Sequence, residues 1–164
     1  MKIDVFKYLE KIPNDFIKNR VADGVFNVFI PFNLLLGMKI KMLSPDKCEV
    51  ASYGAWKTKN HVGGAHACFL ALMGEYPAGL LLAQIYSPEN YRMIISELHM
   101  EYMKQGRGFV KSVARRPMQP PEFCEGEAFV PMVTDIFNKK GELIATAKTK
   151  WQLKEWSQVR SPKS

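Results

Sequence analysis

Cysteine is scarce in this chain. Cys48, Cys68 and Cys124 are the only three, an odd number, and no two form a C-x-x-C pair. That argues against a disulfide framework or a thiolate zinc site, so a reducing compartment, the cytoplasm, is the expected setting. Histidine is equally rare. His61, His66 and His99 do not take metal-ligand spacing with nearby carboxylates, so no metal is expected. Blocks of like charge are missing too. There are 23 Lys and Arg against 16 Asp and Glu, a net charge of +7, but the basic residues are scattered. A nucleic-acid binder would cluster them in a stripe with aromatics between; dispersed cations suit phosphorylated small molecules. The apolar run near the N-terminal third is too short for a membrane span. Val28–Met38 is broken by Pro31 and Asn33 and falls short of the ~20 residues a span requires. The first residues, MKIDVFKYLEK, are too charged for a signal peptide.

What is present reads as a single domain over 1–164, large enough for a core and without internal repeats. Pro13-Asn14-Asp15 opens a helix with Asn14 or Asp15 as cap, and Ile17, Val21, Val25 and Val28 recur at helical spacing. This helix, about 14–30, should end before Pro31 and pack on a sheet as a flank or a lid. Met38–Met42 alternates as a strand, Ser44–Lys47 is a turn, and Cys48–Trp56 pairs back as a hairpin.

Asn60–Gly79 begins as a glycine-bearing loop and becomes an apolar helix. Pro77 should kink or end that helix. Glu75 is its one charge, and the only charge between Lys59 and Glu89.

Strand signal fills the second half. Ile94, Ser96, Leu98, Met100 and Tyr102 should face one way, and Ile95, Glu97, His99 and Glu101 the other. Phe109–Arg116, Ala128–Phe137 and Leu143–Leu153 follow, with Pro131 marking an edge or bulge. The tail, 157–164, is polar and expected to fray. Strands grouped around one apolar helix imply an α+β fold, a curved antiparallel sheet wrapped round that helix.

The stretch resembles the signature of the hotdog-fold acyl-CoA thioesterases of the phenylacetate-pathway type. Asn60, His61, Gly63, Gly64, His66 and Gly79 stand in register, with Glu75 at the position of an aspartate. Ala67 and Cys68 replace two glycines. With His66-Ala67 and a helix glutamate, Glu75, the chain is more similar to a sister hotdog family of largely unassigned function. The resemblance spans roughly 34–154. It implies a hotdog fold, hydrolysis of an acyl-CoA or acyl-carrier thioester without a further cofactor, and a homodimer or a dimer of dimers.

Thioester hydrolysis needs donors for the developing oxyanion and a carboxylate to activate water or attack. Backbone N–H groups from His66 through Ala67 to Cys68 would be the donors. Glu75 would be base or nucleophile, Asn60 would orient water, and His66 would shape the loop. Gly63 and Gly64 would allow close approach of the ligand. Phe69, Leu72, Met73 and Tyr76 are candidates for an acyl slot. Arg107, Lys111, Arg115 and Arg116 are candidates for the phosphates of coenzyme A; the last two point to opposite faces of their strand. Each also has a plainer reading, as core or as solvated charge, and Glu75 as a buried carboxylate satisfied by Asn60 or a partner backbone. Cys68 reads as a small buried residue.

His66 and Glu75 are nine residues apart, about 13 Å along a helix and on opposite faces. One chain cannot bring them together, so a two-fold dimer with two equivalent sites is expected. Two other functions stay open: an acyl-CoA-binding or dimerisation module without turnover, and a hotdog hydratase or dehydratase with His61 and Glu75.

Overall fold

The computed structural model describes residues 4–159. The order is α1 (Phe6–Leu9), α2 (Asp15–Phe29), β1 (Met38–Leu43), β2 (Lys47–Ser52), α3 (Ala67–Ile85), β3 (Tyr91–Tyr102), β4 (Val110–Arg115), β5 (Glu127–Asn138) and β6 (Leu143–Glu155). The strands form one antiparallel sheet in the order β1-β2-β4-β5-β6-β3. The sheet curves round α3, which packs on β2, β4, β5 and β6. This is the α+β arrangement that the resemblance implies. The short α1 and the 3-10 turn Trp56–Thr58, where a strand was expected to continue, are additions.

α3 is long and apolar enough to cross a membrane by length and composition, yet more than half of it is buried inside the fold. It runs unbroken through Pro77, against expectation. The proline costs one hydrogen bond, to the Met73 carbonyl. Met73, Pro77, Ala78 and Leu81 are buried, and that packing holds the helix together across the gap. Gly74 and Gly79 let the helix lie close on β6. A Cβ on Gly74 would sit 2.3 Å from the Ala147 Cβ, and one on Gly79 2.9 Å from the Trp151 ring.

α2 begins at the Asn14 cap, whose side chain accepts from the Ile17 N–H. Its inner face is half polar, with Asn19, Ala22, Asp23 and Phe26 buried. The two polar residues satisfy the outer edge of β1: Asn19 Nδ2 donates to the Lys41 carbonyl (3.0 Å) and Asp23 Oδ1 accepts from the Ile40 N–H (2.7 Å). α2 therefore closes one edge of the sheet, the alternative to leaving a strand edge open for association. The other edge, β3, is open among the described residues. It is twelve residues long and exposes Ile94, Leu98 and Tyr102.

The expected alternation along β3 does not hold throughout. Ile95 pairs with Trp151 and Glu97 with Lys150, so Ser96 is an extra residue, a β-bulge. The bulge flips the phase: Met93 and Ile95 pack on the core before it, Met100 after it. Pro131 lies opposite Lys150 of β6, beyond the end of β4, whose pairing with β5 stops at Thr134. Its missing N–H thus falls on a locally free edge. Of the tail, Trp156–Gln158 is a 3-10 turn and residues 160–164 lie outside the described part.

Candidate functional site

The loop before α3 is held by its own side chains. Asn60 Oδ1 accepts from the Val62 N–H (3.1 Å) and the Gly64 N–H (2.9 Å), and the Asn60 N–H donates to the Gly64 carbonyl. Gly63 needs its φ of +77° for this turn. The Ala65 N–H donates to the Gly106 carbonyl, docking the loop on the turn after β3. The Asn60 oxygen is therefore committed to the loop, and only its amide nitrogen remains to orient water.

His66 caps α3. Its Nδ1 accepts from the Cys68 N–H (3.1 Å), and its own N–H donates to the Thr58 carbonyl. Two of the three expected oxyanion donors are thus used inside the chain. The Ala67 N–H, at the first helical position, has no partner among the described residues. It stands at the positive end of a nineteen-residue helix, where an anion is favoured. Ala67, Asn60 and Tyr102 line a cavity of about 310 Å³, and the Tyr102 hydroxyl donates to the Ala67 carbonyl (3.0 Å).

Glu75 lies two turns on, in a different cavity. This one is about 360 Å³, mostly apolar, and walled by Phe29 of α2 and Ile30 just after it, Tyr76 and Leu80 from α3, and Trp151 from β6. Burial alone pushes the Glu75 carboxyl above its ordinary value. It has no hydrogen-bond or ion-pair partner among the described residues, so Asn60 does not satisfy it. Neither cavity is lined by both Ala67 and Glu75.

The remaining candidates divide. Tyr76 walls the Glu75 cavity, and burial raises its phenol. Phe69 and Met73 are buried in the core and Leu72 packs against it, which is their plainer reading. Cys68 is exposed rather than buried, because the first turn of α3 lies at the surface; Cys48 is the buried thiol, its pKa raised by burial. Gly64 is buried with Gln105 over it. The basic residues do not converge. Lys111 pairs with Glu49 (3.5 Å), Arg115 pairs with Asp135 (3.2 Å), Arg107 Nε donates to Gln105, and exposed Arg116 lies beside the proline-rich loop. Missing from the sequence reading were Tyr102 and the walls supplied by α2. The apolar Phe29-Ile30 at the end of a predicted helix was the available signal.

Solved structures with this architecture include PA5026 from Pseudomonas aeruginosa (20% identity, TM-score 0.71, covering 83% of this chain and 95% of that one). Two thioesterases are similar as well: HI1161 from Haemophilus influenzae (14%, TM-score 0.66, 79% and 87%) and SAV0944 from Staphylococcus aureus (16%, TM-score 0.65, 76% and 98%). At such identity the likeness establishes the fold, which is the hotdog fold. No curated protein matches the chain. The family model for DUF4442, a domain of unknown function, matches residues 19–153. The chain is a member of the DUF4442 family, built on the hotdog fold of thioesterases.

Proposed function

We propose that the chain is a cytoplasmic acyl-CoA or acyl-carrier thioesterase, working as a dimer in which each site joins the Ala67 N–H of one copy to Glu75 of the other. The observation that carries this is the separation of two complementary half-sites. One offers an unpaired donor at a helix start. The other offers an unpaired carboxylate beside an apolar cavity. The carboxylate's raised pKa moves it toward the range where a general base is effective near neutral pH. The Ala67 N–H would hold the carbonyl oxygen as negative charge develops on it. The cavity beside Glu75, walled by Tyr76, would take the acyl group. The open β3 edge supplies a pairing surface for the second copy, since α2 closes the other edge. SAV0944 has been solved as variants at a glutamine and at a glutamate fifteen positions later. Asn60 and Glu75 have that same spacing here.

The scattered ion-paired lysines and arginines argue for few phosphate contacts, with Arg116 and Arg107 the groups left to make them. One observation favours the second reading, a binding module without turnover: Asn60 Oδ1 and the Cys68 N–H are both consumed by the loop.

Hydrolysis assays over short, medium, long and aromatic acyl-CoAs, with Glu75→Gln in parallel, decide between them. The expected result is turnover of at least one thioester and a loss on the order of 10²-fold or more in kcat for Glu75→Gln. Saturable binding with no turnover of any thioester would favour the module. Undiminished activity in Glu75→Gln would remove the carboxylate from the mechanism.

A further inference from the structure

Five large apolar residues stand out of the surface on two neighbouring segments. Phe32, Leu34 and Leu35 follow α2 and are 74%, 51% and 72% exposed; Tyr53 and Trp56 follow β2 and are 67% and 78% exposed. The segments touch. Ser52 Oγ donates to the Leu36 carbonyl (3.4 Å), and a Cβ on Gly37 would lie 3.5 Å from that of Ala55. Leu35 holds a φ of +68°, a conformation uncommon for a residue with a bulky side chain. A contiguous apolar surface of this kind marks a contact with something other than water.

Charge selects the partner. Lys41 lies over the Tyr53 ring and Lys57 over the Trp56 ring. Neither they nor Lys59 form an ion pair among the described residues, whereas the lysines of β6 are matched by Glu97, Glu101 and Glu127. No Asp or Glu occurs between Asp23 and Asp46, or between Glu49 and Glu75. A second copy seated here by a two-fold axis would set these lysines against themselves, with no acid from the same segments to answer them. Apolar side chains flanked by unpaired lysines, with aromatic rings at the boundary, match an anionic lipid surface: the rings and leucines enter the headgroup layer and the ammonium groups meet lipid phosphates.

We propose that the face formed by Phe32–Leu35 and Tyr53–Lys59 docks on an anionic membrane surface, without spanning it. No residue of the patch lines the Ala67 or the Glu75 cavity, so the proposal stands or falls apart from the thioesterase reading.

The test is flotation of the full chain with vesicles of phosphatidylcholine alone and of phosphatidylcholine mixed with phosphatidylglycerol. Binding should require the anionic lipid and weaken with salt. It should fall at least tenfold in Leu35→Asp/Trp56→Asp and in Lys57→Glu/Lys59→Glu. The second variant changes only exposed charges and therefore guards against a folding failure in the first. Hydrolysis of a water-soluble short acyl-CoA, if present in the parent, should be unchanged in both. No binding, equal binding to both vesicles, or binding untouched by the lysine variant would overturn the proposal. So would dissociation of the oligomer by the apolar variant, which would give the patch to a second copy.

Discussion

Ala67→Pro deletes a single donor while leaving the helix its conformation. Ala67 occupies the first helical position, where an N–H has no intrahelical partner and proline is well tolerated. The preceding His66 sits at φ −65° and ψ 141°, the extended region that a residue before proline prefers. Its cap bond to the Cys68 N–H does not involve residue 67. Folding stability should therefore stay within about 0.5 kcal/mol of the parent. If the Ala67 N–H holds the developing oxyanion, its loss should cost roughly 10²–10³ in kcat, about 2.7–4 kcal/mol of transition-state stabilisation. The assay is acyl-CoA hydrolysis, alongside thermal melting and gel filtration to show an intact, equally assembled protein. A well-folded Ala67→Pro protein with kcat within a factor of about three of the parent would refute the donor assignment.

Three further outcomes follow from the packing. Gly74→Ala would place a methyl 2.3 Å from the Ala147 Cβ. The overpacking, about 1–3 kcal/mol, should exceed the helix-propensity gain of up to ~1 kcal/mol, lowering Tm by several degrees; a raised Tm would contradict the close helix–sheet contact. Asp23 keeps one buried oxygen unpaired, and burial holds its carboxyl above the ordinary value. Its contribution to stability is fully present below the unfolded carboxyl value and is lost as pH rises through the folded one. Asp23→Asn retains the acceptor for the Ile40 N–H, so it should stabilise at neutral pH by on the order of 1 kcal/mol and show little difference in acid. A pH series of melts checks this, and an unchanged gap at all pH values would deny the titration. Glu75 has the same sign, so Glu75→Gln should lose kcat without losing stability at neutral pH; a destabilised variant would point to a structural carboxylate.

The main elements were legible because periodicity reports burial. The alternation of β6 and the all-apolar α3 each state which face is covered. The apolar spacing of α2 does not: Ile17, Val21 and Val28 are exposed, and the buried face is Asn19, Ala22, Asp23 and Phe26. The departures arise where tertiary packing overrides a local rule. Pro77 sits in an unbroken helix because its neighbours are buried on every strand they touch. The bulge at Ser96 shifts a phase that sequence alternation alone could not reveal. Asn19 and Asp23 are buried polar residues whose purpose, closing the β1 edge, exists only once the sheet does. At the site, sequence spacing was enough to keep His66 and Glu75, and with them the helix start and the carboxylate, apart in one chain. It could not say that Asn60 spends its acceptor on the loop and His66 on the first turn of α3, since that depends on the backbone path between them.

The shared site between two copies is tested most directly by mixing. Ala67→Pro and Glu75→Gln are each expected to be inactive and folded. Unfolded, combined in equal amounts and refolded together, they should form heterodimers carrying one doubly altered site and one intact site. With random pairing, activity should return to about a quarter of the parent. A mixture no more active than its two components, despite demonstrated heterodimers, would contradict a site built from both copies.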